Sequence, residues 1–143
     1  PGSRWLDLFG GSGAVGIEAL SQGAAHCTFI DLERKATATI RENLIHTQLL
    51  SQAEIRNTDA FLFLEKCRTS FDSIYVAPPQ YEGLWIEAMR RIAERTEILN
   101  PKGRIIVQID PRESETLHLT NLERTDERTY GKTQLLFFER TGL

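Results

Sequence analysis

Glycines and an acid near the start of the chain have the spacing of a nucleotide-binding loop. Residues 11–16 read Gly-Ser-Gly-Ala-Val-Gly, the GxGxxG pattern, and Asp31 follows 20 positions after Gly11. Glycines let the backbone approach a ligand because they carry no Cβ atom, and an acid at the end of the next strand can accept hydrogen bonds from both ribose hydroxyls. The pattern predicts a nucleoside cofactor, and both a nicotinamide dinucleotide and S-adenosylmethionine carry such a ribose.

A second acid, Asp7, lies just before the glycine loop and bears on this choice. A carboxylate is poorly placed beside a pyrophosphate but well placed beside an ammonium group such as the methionyl amine. Charge therefore favours S-adenosylmethionine over a dinucleotide. Two structural roles stay open: Asp7 could brace the loop, and Asp31 could be a solvated acid at a strand end.

A pair of prolines forms the second candidate site. Residues 76–81 read Val-Ala-Pro-Pro-Gln-Tyr. Proline fixes φ and has no N–H, so Pro78 and Pro79 present carbonyl acceptors without competing donors. Such rigid acceptors suit an exocyclic amine whose nitrogen must point at an electrophilic carbon. We take Pro78, Pro79, Gln80 and Tyr81 as candidate catalytic residues; the alternative is that the prolines only end a strand.

The elements that must position these residues alternate between strand-like and helix-like patterns, which predicts a mostly parallel sheet with helices on both faces. Strands are predicted over Trp5–Phe9, Thr28–Asp31, Ala53–Thr58, Phe71–Val76 and Ile105–Ile109, followed by an antiparallel hairpin of Leu117–Arg128 and Gln134–Glu139 around Tyr130 and Gly131. Helices are predicted over Ala14–Gln22, around Ala36, Ile40 and Leu44, from Asp59 as N-cap to Cys67, and around Leu84, Ala88 and Ile92. Both candidate sites then follow strand ends at one edge, where open α/β sheets bind ligands.

Length and composition limit the remaining possibilities. The chain has 143 residues and a net charge of -3, so we expect one domain over residues 1–143 and no overall cationic coat for nucleic acid. Cys27 and Cys67 show no CxxC spacing, so neither a metal site nor a disulfide is predicted. No stretch has the length of a membrane span or the form of a secretory signal, and we expect a cytoplasmic protein. Because the only methionine is Met89, we expect the natural protein to have a further N-terminal segment.

Residues 6–24, LDLFGGSGAVGIEALSQGA, resemble the DLFAGSGALGLEALSRGA signature of one family. This signature is found in the class I S-adenosylmethionine-dependent methyltransferases. Within that class, the chain resembles the bacterial small-subunit ribosomal RNA guanine-N2 methyltransferases, the RsmD family. The spacing to the proline pair and to the Tyr130–Gly131 turn agrees, so the resemblance covers essentially the whole chain. It implies a Rossmann-like seven-stranded fold and transfer of a methyl group to the exocyclic N2 amine of a guanine in small-subunit ribosomal RNA, without a metal.

The resemblance also assigns binding roles to individual residues. The methionyl part of the cofactor would be surrounded by Asp7, Phe9, Gly10, Gly11, Gly13 and Gly16. Asp31 would bind the ribose, and Asp59 with Ala60 would meet the adenine. Independently of the resemblance, candidates for contacts with RNA phosphates are the cations near the last two strands, namely Arg112, Arg124, Arg128 and Lys132; the alternative is that they are solvated surface charges.

The chain departs from the family after the fourth strand, where the family has DPPY or DPPF. Ala77 replaces the acid and Gln80 the aromatic residue, with Tyr81 one place later. Loss of a well-aimed group of this kind costs on the order of 3 kcal/mol of transition-state stabilisation. Gln80 is then a candidate neutral acceptor, and Tyr81 a candidate for stacking on the base. The alternatives are a cofactor- or RNA-binding pseudo-enzyme, a methyltransferase with another acceptor, and a nicotinamide-dependent reductase.

Overall fold

Seven strands of one sheet account for the alternating apolar pattern in the computed structural model, which describes residues 2–79 and 83–141. The strands are β1 (Arg4–Asp7), β2 (His26–Asp31), β3 (Ala53–Asn57), β4 (Phe71–Val76), β5 (Leu99–Ile109), β6 (Leu122–Tyr130) and β7 (Thr133–Arg140). The α-helices are α1 (Ala14–Ser21), α2 (Arg34–His46), α3 (Ala60–Lys66) and α4 (Leu84–Glu94). Short 3-10 turns cover Leu50–Gln52, Thr96–Ile98 and Pro111–Glu113. None of the helices in these described residues has both the length and the apolar character to cross a membrane.

The order of the strands places β1 near the centre of the sheet. The order is β3-β2-β1-β4-β5-β7-β6, with β1 to β5 parallel and β7 antiparallel to both β5 and β6. The predicted mostly parallel seven-stranded sheet with a C-terminal antiparallel hairpin is therefore confirmed. Because the strand order reverses between β1 and β4, their carboxyl ends border a crevice of the kind that binds ligands in open α/β sheets.

Helices cover both faces of the sheet, because successive side chains of a strand point to opposite sides. Leu6, Ile30 and Ile74 point to one face, where they pack with apolar residues of α3 and α4. Cys27 and Phe29 point to the other face, where they pack with the buried sides of α1 and α2. The predicted arrangement of helices on both faces is confirmed. The two free cysteines are buried in these cores.

The fifth strand differs most from its predicted bounds. The sequence predicts Ile105–Ile109, but β5 already begins at Leu99. Its pairing with β4 is irregular, since the register shifts between Phe71 and Ser73. Residues 100–103, which include Pro101, lie in that bulge, where a proline without an N–H does not interrupt the ladder. Pro101 would be expected to interrupt a regular strand, but it is part of β5.

The segment before β6 is the second difference. The sequence predicts a strand from Leu117, but β6 begins only at Leu122. Leu117 and Leu119 are instead partly buried against the core as part of an irregular segment. Asn121 follows with a φ of 69°, a turn conformation directly before the strand. The alternating leucines therefore reflect the packing of a loop, and the predicted start of this strand is wrong.

The remaining differences are short and lie at the ends of elements. β1 ends at Asp7 rather than Phe9, and the N–H of Leu8 makes one further backbone hydrogen bond to the carbonyl of Tyr75 at 3.0 Å. α1 ends one residue early, at Ser21. The hairpin turn is where the sequence predicts it, with Gly131 at a φ of 58°.

Candidate active site at the carboxyl ends of β1 and β4

Backbone hydrogen bonds fix the glycine loop between β1 and α1. The N–H of Gly10 donates to Ile30 of β2 at 2.7 Å, and the N–H of Gly13 donates to Gly10 at 2.8 Å. The amide of Asn43, on α2, donates to the carbonyl of Ser12 at 2.9 Å. Gly13 has a φ of 81°, which residues with a Cβ rarely adopt. The loop is therefore rigid before any ligand binds.

Asp31 at the end of β2 connects this loop to the start of α2. Its Oδ2 accepts the N–H of Gly11 at 2.9 Å, and its Oδ1 accepts the N–H of Glu33 at 2.9 Å. A carboxylate oxygen has two lone-pair sites, so each oxygen keeps one acceptor position. The sequence leaves bracing and ribose binding open for Asp31. The structure shows the bracing role, and the carboxylate retains the acceptors that ribose binding needs.

Asp7 lies beneath the loop and is 1% exposed. It points to the same face as α1, and its Oδ1 has no hydrogen-bond partner within the described part of the chain. The pKa of Asp7 is raised to about 7, mainly by burial. The charge of Asp31 also raises this pKa, and the hydrogen bond from the backbone N–H of Gly16 partly offsets the increase. A buried polar atom without a partner is costly, so a positively charged group that reached this carboxylate would be bound favourably.

Asp59 begins α3 beside the loop and acts as its N-cap. Its side chain accepts the N–H of Leu62 at 3.0 Å, which confirms the predicted cap. Ala60, the next residue, is buried. Both residues border the same cavity as Asp31.

A cavity of about 490 Å³ joins the glycine loop to the proline pair. It is lined by Leu8, Phe9, Gly11, Asp31, Leu32, Glu33, Asp59, Ala60, Phe61, Ala77, Pro78, Pro79 and Leu84. Seven of the residues predicted for the site are in this lining, namely Phe9, Gly11, Asp31, Asp59, Ala60, Pro78 and Pro79. The structure thus brings both candidate sites into one cavity, as the sheet order requires.

Four of the predicted residues lie behind the loop and not in that lining: Asp7, Gly10, Gly13 and Gly16. Gly16 is closely packed in its position, since a Cβ there would come within 2.4 Å of the ring of Phe29 and 2.7 Å of the Cys27 sulfur. The missing side chain at Gly16 lets α1 pack closely on β2. Its position is thus a packing position, and contact with a cofactor at Gly16 stays a prediction.

Sequence reasoning missed the apolar side chains of the cavity. Leu32 is 65% exposed at its rim, and the ring of Phe61 meets that of Phe9 edge-on with 6.3 Å between centroids. Leu84, at the first turn of α4, also lines the cavity. The sequence contains one indication for Leu32: an apolar residue that directly follows an acid at the end of a strand lies beyond the buried part of that strand. Phe61 gave no signal, since it belongs to the ordinary apolar run of α3.

At the end of β4, Ala77 and the proline pair form the opposite wall. Pro78 is buried and Pro79 exposed, so the second ring faces the opening. The other two candidate catalytic residues, Gln80 and Tyr81, lie outside the described residues. Below this wall the hydroxyl of Tyr75 donates to Oε1 of Gln108, and burial, together with the charge of Asp7, raises the pKa of Tyr75 to about 12.

Carboxylates neutralise three of the four cations that the sequence predicts to contact phosphates. The pairs are Arg112–Asp110 at 3.0 Å, Arg124–Glu127 at 3.6 Å and Arg128–Asp126 at 3.3 Å. Lys132, in the hairpin turn, is exposed. The paired guanidiniums are less available to an anion, and a phosphate contact at these residues stays a prediction. Residues 2–79 and 83–141 contain no group of three or more His, Cys, Asp or Glu side chains that could hold a metal ion.

Known proteins resemble the chain over most of its length. The profile of the family described as "Conserved hypothetical protein 95" matches residues 1–139. The protein "Putative rRNA methyltransferase YlbH" of Bacillus subtilis is 34% identical over 144 residues, which cover 99% of this chain and 78% of that protein. "Ribosomal RNA small subunit methyltransferase D" of Escherichia coli is 36% identical over 92 residues, covering 64% of this chain and 46% of that protein. The second match thus spans less than half of the relative's length.

A solved structure shares the fold over almost the entire chain. It is "Putative methyltransferase yhhF from Escherichia coli", with a TM-score of 0.88 and 27% sequence identity. The superposition covers 99% of this chain and 79% of that chain. The Rossmann-like sheet described above is therefore the fold of that protein as well.

Proposed function

The chain belongs to the family described as conserved hypothetical protein 95, and on this premise we propose that it is a methyltransferase acting on ribosomal RNA. It transfers a methyl group from S-adenosylmethionine to the exocyclic N2 amine of a guanine in the small-subunit RNA. The observation that carries the proposal is the single cavity in which the glycine loop, Asp31 and the proline pair meet. Two relatives, named "Putative rRNA methyltransferase YlbH" and "Ribosomal RNA small subunit methyltransferase D", support the same substrate class.

The residues on the loop side fit the cofactor. The free acceptor positions of Asp31 suit the two ribose hydroxyls, and the apolar surfaces of Leu32 and Phe61 suit the adenine. The buried carboxylate of Asp7 lacks a partner for Oδ1 among the described residues, and ionised it offers the negative charge that a methionyl amine needs. When bound, the cofactor supplies an electrophilic methyl group on a positively charged sulfur.

The residues on the proline side position the acceptor. The carbonyl groups before and within the proline pair accept hydrogen bonds from the guanine amine and orient its nitrogen lone pair. Because a paired base cannot enter a cavity of this kind, the guanine must be unstacked and turned out of its helix. Phe9 and Leu84 give the base apolar walls. We further propose Gln80 as a neutral acceptor and Tyr81 as a stacking partner of the base; both lie outside the described residues.

Domain organisation, metal use, partner and location belong to the same proposal. We place the whole activity in one domain over residues 1–143, without a metal. The partner is ribosomal RNA or the small subunit, and the cytoplasm, where that substrate is found, is the proposed location. The chemistry needs no covalent intermediate, because the chain's contribution is to bind and orient two reactants.

One observation favours a second candidate. Ala77 stands where the family pattern has a carboxylate, and it lines the cavity directly beside Pro78. Without that acid, the chain could bind cofactor and RNA without turnover. The two candidates share every binding residue and differ only in the rate of methyl transfer.

The test uses methyl-labelled S-adenosylmethionine and small ribosomal subunits from cells that lack the corresponding modification. The proposal predicts label on one guanine of the RNA, mapped to its N2 atom, and weaker labelling with the Asp7→Asn variant when S-adenosylmethionine is below saturation. Cofactor binding without labelled RNA would favour the second candidate. Binding of NADH but not of S-adenosylmethionine in a parallel titration would overturn both.

A further inference from the structure

A second cavity, of about 310 Å³, lies between the strand pair β2–β3 and α3. We call it the basic cavity and define it by its polar and charged side chains, which are Arg4, Thr28, Glu54, Arg56, Thr58, Lys66, Arg68 and Thr69. Arg4 starts β1, and Lys66 ends α3, so these residues meet toward the amino end of the sheet. The basic cavity therefore opens away from the carboxyl edge that carries the candidate active site.

Positive charge is in excess at the basic cavity, although the chain as a whole carries a net charge of -3. Arg56 lies 3.8 Å from Glu54 and is stacked on the ring of Phe63, so it is partly neutralised. The other three cations, Arg4, Lys66 and Arg68, are exposed and form no ion pair within the described residues. This differs from the cations near the last two strands, most of which are held by carboxylates.

Asp72 is an acid that contacts the backbone of Arg4, and both of its oxygens are occupied by neutral donors. The carboxylate of Asp72 accepts the backbone N–H of Arg4 at 2.8 Å and the amide of Asn100 at 2.7 Å. Its hydrogen bonds thus go to neutral groups, and the guanidinium of Arg4 remains available. Guanidinium, ammonium and hydroxyl groups together are the donor set that binds nucleic-acid phosphates.

The basic cavity is connected to the active site through α3. Thr58 lines the basic cavity, and the next two residues, Asp59 and Ala60, line the active-site cavity. The helix from Ala60 to Lys66 has seven residues, about 10 Å at 1.5 Å per residue. An RNA strand with one base turned into the active site can therefore place a neighbouring backbone phosphate at the cations.

We propose that the basic cavity binds a backbone phosphate of the RNA strand whose target base enters the active-site cavity. This inference rests on the proposed function, since it assigns a contact for that substrate. The contact carries no sequence information, because phosphates are the same at every position. It holds the strand in register while the base is turned out.

The experiment measures binding of a fluorescein-labelled single-stranded RNA to the full chain over a range of salt concentrations. In the double variant Lys66→Gln/Arg68→Gln we expect about tenfold weaker binding at low salt. The slope of log K against log salt should also fall in magnitude by about 0.7, since one lost phosphate contact to a single strand accounts for about that much. The affinity for S-adenosylmethionine should not change, because neither residue lines the active-site cavity.

Two further variants make the result specific. The matched control Arg41→Gln/Arg90→Gln removes the same charge from exposed positions outside the basic cavity, and it should retain wild-type affinity and slope to within about twofold. The charge-conserving variant Lys66→Arg/Arg68→Lys should bind like the wild type. Its retained binding would show that the loss in the first variant is due to charge and not to misfolding.

The remaining outcomes would contradict the phosphate site, RNA as its ligand, or the proposed function. Equal loss in the control and the cavity variant would overturn the site, because the effect would be one of net charge. Saturable binding of inorganic phosphate to the wild type that leaves its affinity for RNA unchanged would overturn RNA as the source of the phosphate. A wild type that binds this RNA through the basic cavity but methylates no ribosomal RNA would contradict the proposed function and leave the phosphate site standing.

Discussion

The two walls of the active-site cavity are built differently. On the loop side, hydrogen bonds within the chain hold each part: Gly10 to β2, Asp31 to Gly11 and Glu33, and Asn43 to Ser12. On the β4 side, rigidity comes from two proline rings, and Ala77 brings no polar side chain. The first wall has its binding groups in place before a ligand arrives. The second orients an acceptor mainly through backbone carbonyls.

This difference separates two properties that are usually lost together. Changes on the loop side should alter cofactor affinity, and changes on the β4 side should alter the rate of methyl transfer at unchanged cofactor affinity. A mutation that moved both properties would mean that the walls are coupled. The following variants test whether cofactor affinity and the rate of methyl transfer respond independently.

Restoring the acid of the family pattern should have the largest effect. We expect Ala77→Asp to raise kcat for RNA methylation about 100-fold, because one well-aimed hydrogen-bonding group is worth about 3 kcal/mol in a transition state. The dissociation constant of S-adenosylmethionine, measured by calorimetry, should remain within about twofold, and Ala77→Asn serves as the uncharged control. A slower Ala77→Asp enzyme would show that the β4 wall is adapted to alanine.

Asp7→Asn should weaken cofactor binding by about 1.5 to 3 kcal/mol, since a hydrogen bond to a charged group contributes about that much. The substitution keeps the size of the side chain and removes its charge. The same variant should be more stable than the wild type at pH 8 without cofactor, because it no longer buries an ionised group. Thermal unfolding at that pH, with and without cofactor, measures both effects, and unchanged affinity would remove Asp7 from the site.

Two glycines of the loop should respond in different ways. Gly16→Ala should destabilise the fold by about 2 kcal/mol, because its Cβ would overlap Phe29 and Cys27. At Gly11 an added Cβ meets nothing within 4 Å, so Gly11→Ala should cost only about 1 kcal/mol, from its positive φ of 59°. Denaturant unfolding of both variants checks the order. The reverse order would contradict the packing role of Gly16.

The pH dependence of cofactor binding is a further effect that we predict for Asp7. Burial raises the pKa of Asp7 from its ordinary value of 3.8 to about 7, so the folded chain binds this proton more tightly than the unfolded chain does. The stabilising contribution of the protonated form is therefore complete below about pH 4 and is lost as the pH rises to about 7. Cofactor binding has the opposite sign, because a cationic amine requires the ionised carboxylate.

Titrations between pH 5.5 and about 8 should thus show cofactor affinity falling by up to tenfold per pH unit below pH 7. The slope should be absent in Asp7→Asn, which has no proton to exchange. A wild type with pH-independent affinity would contradict the proposed charge on Asp7 in the complex.

Local signals were sufficient for the parts of the site that depend on near neighbours in sequence. The loop, the strand-end position of Asp31 and the cap formed by Asp59 are all confirmed as structural features. Burial of Asp7 and the packing of Gly16 depend on β2 and β4, which are far away in the chain. No pattern in residues 6–16 states which strands will lie beside them.

The errors in the fold have the same origin. Pro101 ends a regular strand in any local reading, yet a bulge opposite Asp72 accommodates it in β5. Leu117 and Leu119 alternate as strand residues do, but no neighbouring strand pairs with them and they pack on the core as a loop. In both cases, tertiary contacts decide the outcome.

A crystal structure of the chain with S-adenosylmethionine bound would show whether the cofactor lies in the cavity between the glycine loop and the proline pair. We predict that the ribose lies at Asp31 and the adenine between Leu32 and Phe61. The amine should be oriented toward the carboxylate of Asp7, and the methyl carbon should face Pro78. A cofactor found outside this cavity, or bound in it with the amine directed to solvent and the methyl carbon away from the proline pair, would contradict this prediction.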